Sequence, residues 1–433
     1  MKRFFKEFLK TGQDDIKKNT AFLVGGKGLA QIITILAYPL IARLYNPSAF
    51  GQLAVITSIH SLLVVLSTGR YELAVVMPKS DEDASFLVSM GLRIGIIVSL
   101  SILPVTLLVK FTSGILNINP VITNWYFLLP VSVITAAYYQ LQTGWCTRFK
   151  LYRVIVSSAF ILYASTAAIK IILGLLKVKD GLLYSFFIAQ ALVAVYLYIN
   201  QSRSSFAQIL LSFSNKILPA ASKYKNFPKY NLSVSLISTF SGNLPVYLLA
   251  LYFSDNFIGQ LSLAFTILFK PIGLYNESVY VVLVKRTMEM RHQNKAVWPF
   301  IKRYIVKNLI AGITGGILVA AFIPMVVKLY LGSGWQMTGE LIRLMLPWAV
   351  LLVPAGSLAF IPNIFNLQLK AFYIEIIYLI ARFMALIAGI ICNSIVLGIG
   401  LFSLTGMLVI SYRLIWYKKL LERADEELKY SGR

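Results

Sequence analysis

The chain has 433 residues, 58% of them hydrophobic and only 13% charged, with a formal net charge of +24 at pH 7. Apolar runs of about 20 residues, the length that crosses a hydrocarbon core of ~30 Å, recur from end to end. No polar stretch is long enough for a separate soluble domain, and a β-barrel would show ~10-residue alternating segments instead, so an all-α polytopic membrane protein is expected.

In chain order, residues 2–10, KRFFKEFLK, place Phe4, Phe5, Phe8 and Leu9 on one side of a helix. Residues 1–19 read equally as an amphipathic surface helix or as a frayed basic tail. The first apolar run is too long for the core of a signal peptide, and no convincing cleavage site follows. Twelve spans are expected, at 20–41, 49–67, 85–109, 121–141, 154–176, 181–199, 232–253, 257–279, 305–327, 341–360, 372–391 and 395–416.

The positive charge follows the loops. Of the 41 Lys and Arg residues, 29 fall in one alternate set of loops and termini and five in the other set. Basic loops stay in the cytoplasm, which places both termini there and makes the number of spans even. The excess charge is thus a topology signal with an attraction to anionic headgroups, and nucleic acid is not a predicted partner.

Enzymatic and metal chemistry find no support. Cys146 and Cys392 lie in or beside spans far apart in sequence, and His60 and His292 form no ligand cluster. The GGKG at 25–28 lacks the spacing and the following Ser or Thr of a phosphate-binding loop. No catalytic residue, metal or cofactor is expected. With no ATPase module, transport would draw on an ion gradient, the membrane potential or a substrate gradient.

The chain repeats itself. AFGQLAVITSI at 49–59 matches FIGQLSLAFTI at 257–267, aligning Gly51 with Gly259. FLLPVSV at 127–133 matches LMLPWAV at 344–350, and Pro104 aligns with Pro324. Three matches in order imply two six-span halves entering the membrane from the same side, as parallel repeats. The expected organisation is an N-terminus 1–19, a lobe 20–200, a basic cytoplasmic linker 201–230, a lobe 231–416 and a tail 417–433. Prolines 104, 130, 245, 271, 324, 347 and 354 bend helices in one reading and serve gating in another.

YPLIARLYNPSAFGQL at 38–53 resembles the opening of the bacterial polysaccharide flippases, the Wzx-type branch of the multidrug/oligosaccharidyl-lipid/polysaccharide exporter superfamily. GRYELAVVMPKSDEDA at 69–84, YKNFPKYNLSVSLISTFSGNLPVYLLA at 224–250 and GQLSLAFTILFKPIGL at 259–274 are similar to later family segments. The resemblance runs from about residue 15 to 420. It implies a V-shaped, two-lobed fold and translocation of an isoprenoid-diphosphate-linked oligosaccharide (an O-antigen, capsule or exopolysaccharide repeat unit) across the inner membrane. In that fold spans 1, 2, 7 and 8 flank a central cleft. A polysaccharide polymerase and chain-length proteins are further partners it suggests.

Several cations sit inside apolar spans: Lys27, Arg93, Lys270 and Arg382, with Lys170 and Arg343 nearer the outer face. The few acids at depth include Glu277 and Glu375, each seven residues from a cation, at Lys270 and Arg382. A charge at the bilayer centre costs about 2.5–3.5 kcal/mol on insertion scales. One reading is a cationic, water-filled cavity that receives a diphosphate; the other is snorkelling or neutralisation by nearby acids. Gln31, Asn243, Tyr38, Tyr247, Tyr138 and Tyr139 are candidate sugar contacts, against helix–helix bonding and interface belts as their ordinary uses. Two rival functions remain: a cation-coupled multidrug exporter on the same fold, and a non-transporting scaffold of a glycan pathway.

Overall fold

The computed structural model describes residues 14–112, 125–200 and 217–431. The surface-helix reading of residues 2–10, the first residues of the fourth span and much of the linker lie outside them. Among the described residues the chain forms helices and no strand. The long helices are α1 (Asp14–Leu44), α2 (Pro47–Ser67), α3 (Asp81–Thr112), α4 (Leu129–Arg148), α5 (Tyr152–Leu175) and α6 (Gly181–Asn200). They continue as α7 (Leu232–Leu249), α8 (Asp255–His292), α9 (Trp298–Val326), α10 (Gln336–Gly356), α11 (Gln368–Ile391) and α12 (Ile395–Ser431). One helix stands at each expected span.

Ten of these helical regions are long and apolar enough to cross a membrane, which makes the chain a multi-pass membrane protein. Of the other two, α1 contributes an apolar stretch Gly28–Leu44 among the described residues, and α4 falls short. The second half of α4, YYQLQTGWCTR, is rich in amides and hydroxyls, and its low apolarity follows from that composition.

Helix ends follow local chemistry. Lys150, Lys177, Asn294, Asn366 and Asn393 adopt left-handed φ values of 45–57° just past helix ends. After each, the next amide reaches back to a carbonyl five residues earlier, as in Leu151 N to Cys146 O at 2.8 Å and Ser394 N to Gly389 O at 2.9 Å. These bonds satisfy terminal carbonyls that the helix leaves open. Pro39, Pro104, Pro245, Pro271, Pro324, Pro347 and Pro354 lie inside helices. Pro130 does not: it occupies the first turn of α4, where its missing N–H costs nothing. The aligned pair Pro130 and Pro347 therefore have different backbone roles.

Two helices outrun the bilayer. At 1.5 Å per residue, the 38 residues of α8 span about 57 Å and the 37 of α12 about 55 Å. Both exceed the ~40–45 Å of core plus headgroups. The end of α12 is not a loose tail. Tyr417 and Leu421 pack with Val297, Ile301, Leu358 and Phe360. Asp425 accepts hydrogen bonds from Val297 N at 2.8 Å and Trp298 N at 2.7 Å, capping α9.

The chain divides into two compact units. The first holds α1 through Tyr45 together with Gln52–Asn243; the second holds Asn46–Gly51 and the chain from Leu244 through α12. In the first unit α3 packs on α4, α4 on α6, and α6 on α5, which also carries α1. In the second, α9 packs on α10, α10 on α12, and α12 on α11, with α8 also against α10. Three helix pairings thus recur six helices later.

The repeated Gly-Gln-Leu segments meet. Within the second unit, a Cβ on Gly51 would overlap the carbonyl oxygen of Asp255, and a Cβ on Gly259 would overlap that of Pro47. Pro47 and Asp255 are each four residues before their glycine, so the contact is reciprocal. Only glycine permits the two backbones to approach this closely.

Candidate functional site

The expected cations divide between the units. Lys27 lies in α1; its side chain is outside the described residues. The helix around it is defined: a Cβ at Gly26 would press into Val156 of α5, while Gly25 and Gly28 face open space. GGKG is therefore a stretch of packed helix, with one glycine at a close crossing. Lys27 is 17 residues before Leu44, roughly 25 Å along the axis, and Lys270 is 15 residues after Asp255, roughly 22 Å. Lys270 is exposed and Arg93 of α3 is half-buried.

Arg382 has a different environment. It is 6% exposed, and its guanidinium carbon lies 3.8 Å from the Tyr378 ring centroid, 4.6 Å from Phe402 and 5.0 Å from Trp348. The expected pairing also shifts: Glu375 forms its ion pair with Arg413 of α12, which the seven-residue spacing to Arg382 did not suggest. Three cation–π contacts at about 0.5–2 kcal/mol each offset an insertion cost of about 2.5–3.5 kcal/mol. Arg382 is thus a cation of the second unit's interior. Glu277 is exposed on α8.

Among the sugar-contact candidates, Asn243 donates from Nδ2 to Ser61 Oγ of α2 at 3.2 Å and to Thr239 O at 2.9 Å. Its amide thus ties α7 to α2, the ordinary use of a polar residue in a membrane helix. Gln31, Tyr38, Tyr138, Tyr139 and Tyr247 are half-buried. Lys170 is 5% exposed, and its backbone carbonyl accepts the Tyr45 hydroxyl at 2.9 Å. Arg343 Nε bonds to Ala320 O at 2.9 Å.

The structure also reveals polar groups that sequence reading missed. In the 69–84 segment, Arg70 adopts φ 61° after Gly69 at φ 55°. Its side chain donates to Glu72 Oε1 at 3.0 Å and to Ser235 Oγ of α7 at 2.9 and 2.6 Å. Glu72 is 8% exposed. Arg148 at the end of α4 donates to Pro78 O at 2.7 Å and to Asp81 Oδ1 at 2.8 Å. The 69–84 segment is therefore stapled by two arginines. The signal was its density of charges beside a glycine, yet a loop charge is normally solvated, so burial was not legible. His60 is likewise internal, with Nε2 3.3 Å from Ser132 O and Phe186 edge-on at 5.0 Å. Among the described residues no group of three or more His, Cys, Asp or Glu side chains is placed to hold a metal.

No family model and no curated sequence matches the chain. Solved structures do. A lipid II flippase, MurJ, in an inward closed conformation superposes with a TM-score of 0.73 at 12% identity, covering 94% of this chain and 91% of that one. An inward-facing multidrug resistance MATE transporter of the MOP superfamily gives 0.66 at 9% identity, covering 92% and 96%. A MOP-superfamily transporter from Pyrococcus furiosus, described as having a binding pocket of reverse polarity, gives 0.60 at 12% identity, covering 94% and 96%. The chain has the fold of these transporters.

Proposed function

We propose that the chain is a flippase that moves an isoprenoid-diphosphate-linked oligosaccharide across the bacterial inner membrane by alternating access, with both termini in the cytoplasm. The observation that carries this reading is the sign of the charge in the spans. Lys27, Arg93 and Lys270 lie deep in apolar helices, while the expected spans hold few carboxylates. Lys270 is exposed. Ammonium and guanidinium groups are apt partners for a diphosphate. The fold shared with a flippase of lipid II, over nearly the whole chain, supports the same class of substrate.

In this reading Lys27 and Lys270 neutralise the diphosphate, with Arg93 adding a third positive charge. The isoprenoid tail stays in lipid while the head crosses. Gln31, Tyr38 and Tyr247 offer polar and aromatic surfaces to the sugars. Polysaccharide polymerase and chain-length proteins act on the delivered unit. Multidrug export, the function in the MATE neighbour's description, is the rival. Cationic drugs would call for carboxylates where this chain carries lysines. The test is complementation of a flippase-deficient strain, with membrane abundance measured in parallel. Lys27→Glu and Lys270→Glu should abolish glycan export at normal abundance; export at the wild-type level by both would overturn the reading.

A further inference from the structure

Arg70 is held in an unusual way for an arginine at the end of a span. Gly69 and Arg70 both take left-handed backbone values, φ 55° and 61°. A residue with a side chain keeps that conformation where its surroundings enforce it, as at ligand clamps. Here the buried Tyr71 donates its hydroxyl to Ala221 O at 3.3 Å, and Gly144 lets α4 close onto the Glu72 carbonyl, where a Cβ would overlap it. Glu72 holds one edge of the guanidinium, accepting from Nη1 at 3.0 Å. The other edge, Nε and Nη2, converges on a single oxygen, Ser235 Oγ of α7, at 2.9 and 2.6 Å. Such an edge is a fork whose spacing matches two oxygens of a carboxylate or phosphate. One neutral hydroxyl fills it, and the side chain remains 24% exposed.

We propose that the Nε–Nη2 edge of Arg70 is a reception site for the phosphate groups of the lipid-linked substrate, with Ser235 occupying it while no phosphate is there. The proposal rests on the flippase reading and adds a second site to it, apart from Lys27 and Lys270. Arg70 is three residues past the expected second span, which closes at Ser67, and Ser235 is three residues inside the expected seventh, which opens at Leu232. The pair therefore sits at the level of the inner-leaflet phosphates. A guanidinium bonds an ionised oxygen roughly twice as strongly as a neutral one, so a phosphate displaces the hydroxyl. Glu72 offsets one positive charge, but more stand close by in the fold. The segments Ile217–Lys223 and Phe227–Asn231 pack against the Tyr71–Ala74 turn and carry Lys223 and Lys229, both exposed. Because Ser235 belongs to α7, phosphate binding also releases this tie between the turn and that helix.

The test uses the full chain purified in detergent and titrated calorimetrically with farnesyl diphosphate, with farnesol and inorganic diphosphate as comparators. Farnesyl diphosphate should bind, inorganic diphosphate should bind more weakly, and farnesol should not bind. Ser235→Ala empties the edge and leaves Arg70 in place, so it should tighten farnesyl diphosphate binding about 3-fold or more. Arg70→Lys keeps the charge and loses the fork, and should weaken binding about 10-fold or more. Ser235→Ala is the deciding variant, because cutting a purely structural staple gives no gain in affinity. Unchanged or weaker binding by Ser235→Ala would overturn this site; loss of binding by Lys270→Ala in the same series would leave the flippase reading standing. Inorganic diphosphate binding as tightly as farnesyl diphosphate would overturn the assignment to a lipid-linked head. A wild-type chain that binds no farnesyl diphosphate would overturn both the site and the reading beneath it.

Discussion

Lys270 and Arg382 look alike in the sequence: each is a lone cation in an apolar helix, seven residues from a glutamate. Their surroundings are opposite. Lys270 is exposed and precedes Pro271 in α8, whereas Arg382 is enclosed by Tyr378, Phe402 and Trp348. The contrast teaches that a charge in a membrane helix marks a demand for compensation without saying who supplies it. For Arg382 the supplier is the chain itself, through rings contributed by three helices. Lys270, by contrast, is exposed on α8, where the proposed function brings the substrate diphosphate to it.

The largest expected effects separate these two kinds of cation. Lys27→Ala and Lys270→Ala should each weaken diphosphate binding about 10- to 150-fold, the loss of a charge-assisted contact of about 1.5–3 kcal/mol. Thermal stability should stay near wild type, because removing a charge from a span lowers its insertion cost. Lys27→Arg should retain more export than Lys27→Ala, since it keeps the charge. Export assays paired with unfolding curves check both. Stability losses matching the export losses would erase the distinction.

Arg382→Ala should show the converse. It removes three cation–π contacts and leaves a void among the rings, for a loss of about 2–4 kcal/mol in stability. The same unfolding curves would record it, and a variant as stable as wild type would return Arg382 to the substrate path. A smaller effect is expected at the neighbouring pair. Glu375→Gln leaves Arg413 without its carboxylate, but both groups are more than a quarter exposed. Solvent screening limits that loss to about 1 kcal/mol. Smallest of all, Asn243→Ala should cost about 1 kcal/mol or less through its lost bond to Ser61, with export unaffected. An export defect at normal abundance would restore Asn243 as a sugar contact.

Most of the fold was legible because it rests on length and periodicity. Twelve apolar runs gave twelve helices, and the Gly-Gln-Leu repeat foreshadowed pairings that recur six helices later. What the repeat did not reveal is that Gly51 and Gly259 lie at one crossing, since a sequence match places two segments at similar depth without bringing them together. The reach of α12 to Ser431 was also hidden. Its last turns are polar, and their anchoring depends on Asp425 finding the start of α9 far away in sequence. The candidate site was legible only as a set of charges. Charge position can be counted along a helix, but Arg382's cage needs Trp348 and Phe402 from other helices, and Glu375's choice of Arg413 over a neighbour on its own helix is tertiary. Arg70 and Glu72 escaped notice for the same reason.

The most direct measurement is reconstitution. The purified chain, placed in liposomes containing an isoprenoid-diphosphate-linked oligosaccharide in the inner leaflet, should make the glycan accessible to an impermeant lectin. Translocation should be faster than in empty liposomes, and Lys27→Ala with Lys270→Ala should lose most of that gain. A rate equal to that of empty liposomes, for protein that is folded and inserted, would contradict the account.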